Sequence, residues 1–495
     1  MNLSRSSGML LHPTSLPSPW GVGDLGPTAD RFLDLLEEAK QSIWQVLPLT
    51  PVGGYGSPYS AHSLFAGNTL LLSPEKLVED RYIGDLPSIT MPGESERKVD
   101  FVAVTAFKDS LAKAAFAYSY SRVRLESDFA RFRERNTDWL DGFALYDAIS
   151  KEQGRPWYQW PEEIRRREHS ALEEKRGALS QAIELTIFSQ YLFDRQWSAL
   201  ATRAKSKGIK ILGDVPFYVL HDSADVWSHP ELFKVDEMGS ALFVGGVPPD
   251  YFSETGQRWG NPVYDWVQLE KTGYKWWKER TQRSLWHTDM VRLDHFRGYV
   301  AYWEIPSGEP TAVNGRWVKV PVSFIDFLMA SFPELPFVAE DLGVITEDVN
   351  EARERLGIPG MRVLQFAFDG ARDNVHLPAN YTGNSVVYTG THDTNTTRGW
   401  FREEAKARER EELARFIGHT VTEESVTKDF LALAMGSIAD VSVVPMQDLL
   451  CLGSEARMNN PAKSEGNWMW RALPSELPED LFKRLGELTS ANDRG

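Results

Sequence analysis

Four acidic residues stand at the ends of short apolar runs that read as β-strands. Asp214 closes Ile211-Leu212-Gly213-Asp214, Asp294 follows Val291-Arg292-Leu293, Glu340 follows Phe337-Val338-Ala339, and Asp393 ends Tyr388-Thr389-Gly390-Thr391-His392-Asp393. Paired carboxylates are suited to glycoside cleavage. One stays protonated to donate to the leaving oxygen, and another is ionised to attack the anomeric carbon. Arg292, two residues ahead of Asp294, would hold that carboxylate ionised and oriented. Crowding among the acids would raise Glu340 enough to keep it an acid. Taken singly, each acid is more simply a strand-end cap or half of an ion pair. Four together, beside Arg292 and His392, are harder to read as caps, because like charges gathered at one place cost stability unless they serve a function.

Convergence of residues so far apart in sequence requires a fold that aims strand ends at one point. Strand-like runs occur at Gly8–Leu11, Ile43–Leu47, Ile209–Leu212, Met290–Leu293, Phe337–Ala339, Val363–Phe368, Val386–Thr389 and Val441–Val444. Helical patterns such as Thr28–Gln41, Ser189–Lys207 and Thr346–Leu356 lie between them. Alternating strand and helix signals predict a parallel sheet with right-handed crossovers. Eight runs in one large unit predict a (β/α)8 TIM barrel, in which every strand C-terminus faces the same mouth. An open doubly wound sheet is the second choice, and no G-x-G-x-x-G or Walker loop supports it. The expected organisation is a single catalytic barrel over residues 1–495 with two insertions. Residues 77–200 are charged and helix-rich, read either as a subdomain shaping the site or as a solvated cap. Residues 215–289 are rich in Gly, Pro and aromatics and are expected to form part of the active-site face.

Composition narrows the partners. The 54 basic residues against 70 acidic ones leave a net charge of −16, which disfavours nucleic acid and anionic membrane. Cys451 is the single cysteine, so neither an intrachain disulfide nor a multi-cysteine zinc site can form. The ten histidines show no H-x-x-x-H pair, and no metal or cofactor is expected. Met9-Leu10-Leu11 is too short for a signal peptide and runs into Pro13, and the apolar region Phe430–Val444 is broken by Ser437, Asp440 and Ser442. The expected location is cytoplasmic.

The chain also resembles a known family along nearly its whole length. The resemblance begins at Gly8–Gly26 (GMLLHPTSLPSPWGVGDLG) and continues through Ser57–Asn68 (SPYSAHSLFAGN) and Gly213–Val219 (GDVPFYV). It then takes in Pro248–Trp266 (PPDYFSETGQRWGNPVYDW), Arg292–Gly298 (RLDHFRG), Ala339–Gly343 (AEDLG), Thr391–Thr394 (THDT) and Ala456–Arg471 (ARMNNPAKSEGNWMWR). In order and spacing these blocks resemble the amylomaltases, or disproportionating enzymes, the 4-α-glucanotransferases of glycoside hydrolase family 77. The resemblance implies retaining double displacement through a covalent glucosyl-aspartate, with α-1,4-glucan donors and glucose or maltooligosaccharide acceptors. It implies Asp294 as nucleophile, Glu340 as acid/base and Asp393 as the transition-state-stabilising carboxylate. Asp214 and Arg292 match residues flanking the nucleophile, and His392 matches one that holds glucose hydroxyls. Tyr59 matches a sugar-stacking position, and Trp259 lies in a loop covering donor and acceptor sites. Ala462 stands where the family pattern carries glycine, a departure expected to touch only a turn.

Most of the 17 tryptophans, including Trp276-Trp277 and the Trp468/Trp470 pair, are expected to be packing anchors. His295 could contact sugar or act from behind the residues that do. Two other readings use the same residues: a retaining α-glucan hydrolase with water as acceptor, and a catalytically inactive glycan-binding protein. The complete acid set argues against the latter.

Overall fold

The computed structural model describes residues 4–53, 56–88, 97–249 and 253–495. Its strands, in chain order, are β1 (Ser6–Leu10), β2 (Ile43–Gln45), β3 (Lys210–Val215), β4 (Phe243–Val247), β5 (Gln257–Pro262) and β6 (Met290–Leu293). They continue with β7 (Ala301–Pro306), β8 (Arg316–Lys319), β9 (Phe337–Ala339), β10 (Gly360–Val363), β11 (Ser385–Tyr388) and β12 (Val441–Pro445). Eight of these close a parallel barrel in the order β1-β12-β11-β10-β9-β6-β3-β2. Every residue of β1, β6, β11 and β12 is buried, which is why these strands show no strict alternation of apolar and polar residues. Helices cover the outer face. Pro27–Glu38 begins with Pro at its first turn and turns Ala29, Phe32, Leu33, Leu35 and Leu36 inward.

The barrel is the expected fold, with one strand displaced from its expected position. The run Val363–Phe368 contributes only its first residue to β10, and Leu364–Phe366 forms a 3-10 turn. The strand instead starts at Gly360, whose register with β11 pairs Gly360 with Ser385 and Val363 with Tyr388. A side chain at Gly360 would collide with Asp341 Oδ2 at 2.2 Å, and the buried Arg362 lies 3.4 Å from the same oxygen. A glycine and a buried arginine hide this strand from a reading based on apolar runs.

A second, antiparallel sheet has the order β5-β4-β7-β8. Its strands come from two excursions, one after β3 and one after β6, so the sheet is built from loops on the barrel's C-terminal side. Residues 215–289 therefore supply half of a sheet that residues beyond 289 complete. The stretch 77–200 holds helices Phe101–Val123, Ser127–Arg135, Leu140–Gln153, Glu162–Arg165 and His169–Ala178, and its end lies inside the continuous helix Ser180–Ser206. That last helix packs against Leu140–Gln153 and also against β3, so one rod joins the helical stretch to the barrel wall. No helix among the described residues is long and apolar enough to cross a membrane.

Candidate active site

The ladder positions the acids before any side-chain contact does. Asp214 on β3 is in register with Arg292 on β6, and Leu293 with Ala339 on β9. Past the strand ends the backbone stays tied: Asp294 N–H donates to Val215 O at 3.1 Å, and Glu340 N–H to Leu293 O at 3.1 Å. Asp214, Asp294 and Glu340 therefore leave adjacent strands at one mouth. His392 and Asp393 arrive from the loop after β11.

Arg292 is the hub. Its buried Nη1 lies 2.7 Å from Asp214 Oδ2 and 3.0 Å from Asp294 Oδ1. Asp214 is enclosed and burial lifts it to about 6, with Arg292 holding it down, so it remains ionised near neutrality. Burial also raises Asp294, while the guanidinium pulls against that rise. The pair fixes Asp294 against the guanidinium, with 26 % of its side chain open to the mouth.

A run of hydrogen bonds continues around the rim. Tyr59 Oη lies 3.0 Å from Asp214 Oδ2 and 2.8 Å from His392 Nε2, and His392 Nε2 is 3.2 Å from Asp393 Oδ2. An ionised Asp393 only accepts, so His392 Nε2 bears the hydrogen, and the single Tyr59 proton is donated to Asp214. Asn459 Nδ2 donates to Asp393 Oδ1 at 2.6 Å, and Arg457 Nη2 to the Asp393 carbonyl at 3.1 Å. Burial opposes the charge on Asp393, but His392 and then the Asn459 amide outweigh it and hold the carboxyl well below the usual range. The Tyr59 ring stacks on His392, with centroids 5.4 Å apart and planes 12° apart, and is tilted against Trp468 at 5.6 Å.

Glu340 is held differently. Oε2 accepts from the His295 backbone N–H at 2.8 Å, and Oε1 from the Leu342 N–H at 3.2 Å. Its pKa is raised well above the carboxylate range, first by burial and then, against the pull of Arg292, by Asp294, Asp341 and Asp393. Crowding contributes as expected from the sequence, but burial leads. The mouth thus holds one buried carboxyl that favours its proton beside one paired with a guanidinium, the division of labour that acid-assisted nucleophilic displacement at an acetal carbon needs.

Trp259, on β5, is 39 % exposed and meets the His295 ring edge-on at 5.0 Å and 85°. Tyr251 and Phe252 of the same aromatic loop lie outside the described residues, while Tyr264 is buried, donating to Phe217 O at 2.6 Å. Asn459, Arg457 and Trp468 were not singled out as site residues from the sequence, although all three fall within the Ala456–Arg471 block. His295 was read there either as a sugar contact or as acting from behind the residues that touch sugar, and its ties to Glu340 and Trp259 emerge from the fold. Among the described residues no group of three or more His, Cys, Asp or Glu is arranged to hold a metal ion.

Comparison with known proteins places this geometry. Residues 11–475 match the family model described as 4-alpha-glucanotransferase. The 4-alpha-glucanotransferase of Thermus thermophilus is 48 % identical over the full length of both chains. That of Aquifex aeolicus is 47 % identical over 97 % of this chain and 99 % of its own. The amylomaltase of Streptococcus agalactiae, solved with acarbose, superposes with a TM-score of 0.95 at 35 % identity, covering 99 % of this chain and 100 % of that one.

Proposed function

The chain belongs to the 4-alpha-glucanotransferase family, and from that membership we propose that Asp294, Glu340 and Asp393 are the catalytic residues of its glucan transfer. It is a retaining 4-α-glucanotransferase, moving α-1,4-glucan segments to the 4-hydroxyl of an acceptor. Maltooligosaccharides and starch- or glycogen-derived dextrins serve as donors, and glucose or shorter dextrins as acceptors. Neither nucleic acid nor membrane takes part. A cytoplasmic site of action belongs to the same reading, supported by the single cysteine of a chain suited to a reducing compartment.

The observation that carries the role assignment is the unequal treatment of two carboxyls at one mouth. Asp294 is gripped by Arg292 at 3.0 Å, whereas Glu340 is held by two backbone N–H groups in a buried setting. In the first step Glu340 gives its proton to the glycosidic oxygen as the C1–O bond breaks, and Asp294 Oδ attacks C1 from the opposite face to form a glucosyl ester. The released segment leaves with its new 4-hydroxyl. Glu340, now a carboxylate, takes the proton of the incoming 4-hydroxyl, whose oxygen displaces Asp294 from C1. Two inversions restore the α configuration. Asp393, kept ionised by His392 and Asn459, stabilises the positive charge that develops at C1. Tyr59, His392, Asp214 and Arg292 bind and align the sugar and its nucleophile, and Trp259 faces the acceptor.

Incubation with maltotriose tests the reading. Glucose together with longer maltodextrins is the expected ladder. Shorter products alone would make water the acceptor, and an unchanged substrate would reduce the chain to a glycan-binding protein.

A further inference from the structure

His295 lies between Asp294 in sequence and Glu340 in space, and its backbone is unusual. Its φ of 49° and ψ of 53° place it in the left-handed region, which residues with a β-carbon rarely occupy. That twist turns the amide back so that its N–H reaches Glu340 Oε2 at 2.8 Å. It also sends the imidazole the other way, into a seat between Phe217, at 6.0 Å and 63°, and Trp259, at 5.0 Å and 85°. The seat exists because residue 298 is glycine: a β-carbon there would stand 2.8 Å from His295 Cδ2 and 2.9 Å from Phe217 Cε1. The ring nitrogen Nε2 is enclosed and has no hydrogen-bond partner among the described residues, and burial lowers the ring to about 4, so it is neutral at ordinary pH. The neutral ring adds no charge to the site, and its Nε2 makes no hydrogen bond to the carboxylates. It acts by shape.

We propose that His295 is a positioning residue with two separable parts: its left-handed amide sets the oxygen of Glu340, and its ring seats Trp259 over the acceptor side. This rests on the reading of Glu340 as acid/base and Trp259 as acceptor contact, and goes beyond it by naming one residue that ties the two together. The tie has a physical use. Glu340 must change from acid to base between the two steps, and the second step must find a sugar hydroxyl rather than water. A single residue holding both the base and the acceptor's aromatic contact keeps them in a common frame, so an oriented acceptor meets a correctly aimed carboxylate.

The two parts can be separated by substitution because only the backbone part depends on φ. Glycine and asparagine accept left-handed geometry readily, whereas a β-branched residue resists it. His295→Gly and His295→Asn should therefore keep the amide on Glu340 and lose the ring. Their pH profile of kcat/KM should match that of the parent protein, while the fraction of maltotriose hydrolysed rather than transferred rises at least threefold. His295→Val should lose both. An N–H donated to a carboxylate favours its charged form, so its loss raises the acid, and the alkaline limb should move up by about one pH unit. The charged groups facing Glu340, Arg292, Asp294, Asp341 and Asp393, are untouched in all three variants. Should His295→Val fail to fold by circular dichroism, His295→Ala, less strained, tests the same limb.

Identical pH profiles for the glycine variant and the valine or alanine variant would overturn the amide part. An unchanged hydrolysed fraction in both the glycine and asparagine variants would overturn the ring part. Glu340→Gln and Trp259→Ala, measured alongside, separate this from failure of the underlying reading: parental rates in Glu340→Gln, or a parental product ladder in Trp259→Ala, would fault those residues' roles and not the tie between them.

Discussion

Asn459 donates from Nδ2 to Oδ1 of Asp393 at 2.6 Å. The bond spans 66 positions of sequence and brings the C-terminal segment to a carboxylate that leaves the barrel after β11. Asp393 keeps 40 % of its side chain open to the mouth, so solvent weakens each contribution to its charge. Asn459→Ala should lower kcat/KM roughly three- to tenfold, somewhat less than the about 1.5–3 kcal/mol of a buried hydrogen bond to a charged group because Asp393 is partly open to solvent. Asn459→Asp should do more, because a second carboxylate there disfavours ionisation of Asp393. Activity needs Asp393 charged, so the acid limb of the pH profile should move to higher pH. Steady-state kinetics on maltotriose between pH 4 and 8, a span of about four units around the carboxylate and histidine ranges, check both. An unshifted limb in Asn459→Asp would remove Asn459 from the electrostatics of the site.

Asp294→Asn keeps the shape of the side chain and removes its nucleophilicity. Turnover should fall by roughly three or more orders of magnitude. Thermal unfolding and maltooligosaccharide binding should stay close to those of the parent protein. Substantial turnover at the parental rate would show that another group attacks C1.

Glu340→Gln removes the proton that the leaving oxygen needs. The loss should be large for maltotriose and small for a donor whose leaving group, such as a nitrophenolate, departs without protonation. The sign of the pH effect follows from the raised pKa of Glu340. Its acid role is present below that pKa and lost as pH rises through it, so the parent protein should show an alkaline limb that is absent from Glu340→Gln with the activated donor. Equal losses on both donors would contradict a proton-donor role.

Trp259→Ala bears on the choice between sugar and water. Water is far more abundant than any acceptor, so transfer prevails only if a bound sugar hydroxyl is held in place, which is worth a large effective molarity. Trp259 is exposed at the mouth and anchored from beneath by the His295 ring. Its removal should slow transfer and raise the hydrolysed fraction. Reducing ends make the distinction, since transfer conserves them and hydrolysis adds them. A flat reducing-end count with a parental ladder would show that Trp259 does not select the acceptor.

Much of this site was legible in the sequence. Asp214, Asp294, Glu340 and Asp393 each close or follow a run that forms a barrel strand or leads out of one, and burial on both faces makes such strands recognisable by composition alone. Barrel closure then brings the strand ends together whatever the intervening lengths, so convergence at one mouth could be inferred without coordinates. The ordered blocks from Gly8 to Arg471 carried the family. What the sequence could not carry was anything decided by packing at a distance. β10 begins on a glycine that makes room for Asp341 and continues into a buried arginine, neither of which reads as strand. The rise of Glu340 is led by its burial, a property of the finished fold, ahead of the neighbouring acids that the sequence suggests. The direction of the hydrogen bonds from His392 through Tyr59 to Asp214 depends on one hydroxyl proton shared among three side chains from distant parts of the chain, two on loops and one on β3. The left-handed twist of His295 leaves little mark in the sequence, because histidine tolerates such geometry more often than most residues but does not require it. It is held there by the N–H bond to Glu340 and the seat above Gly298, and only the closed barrel supplies both.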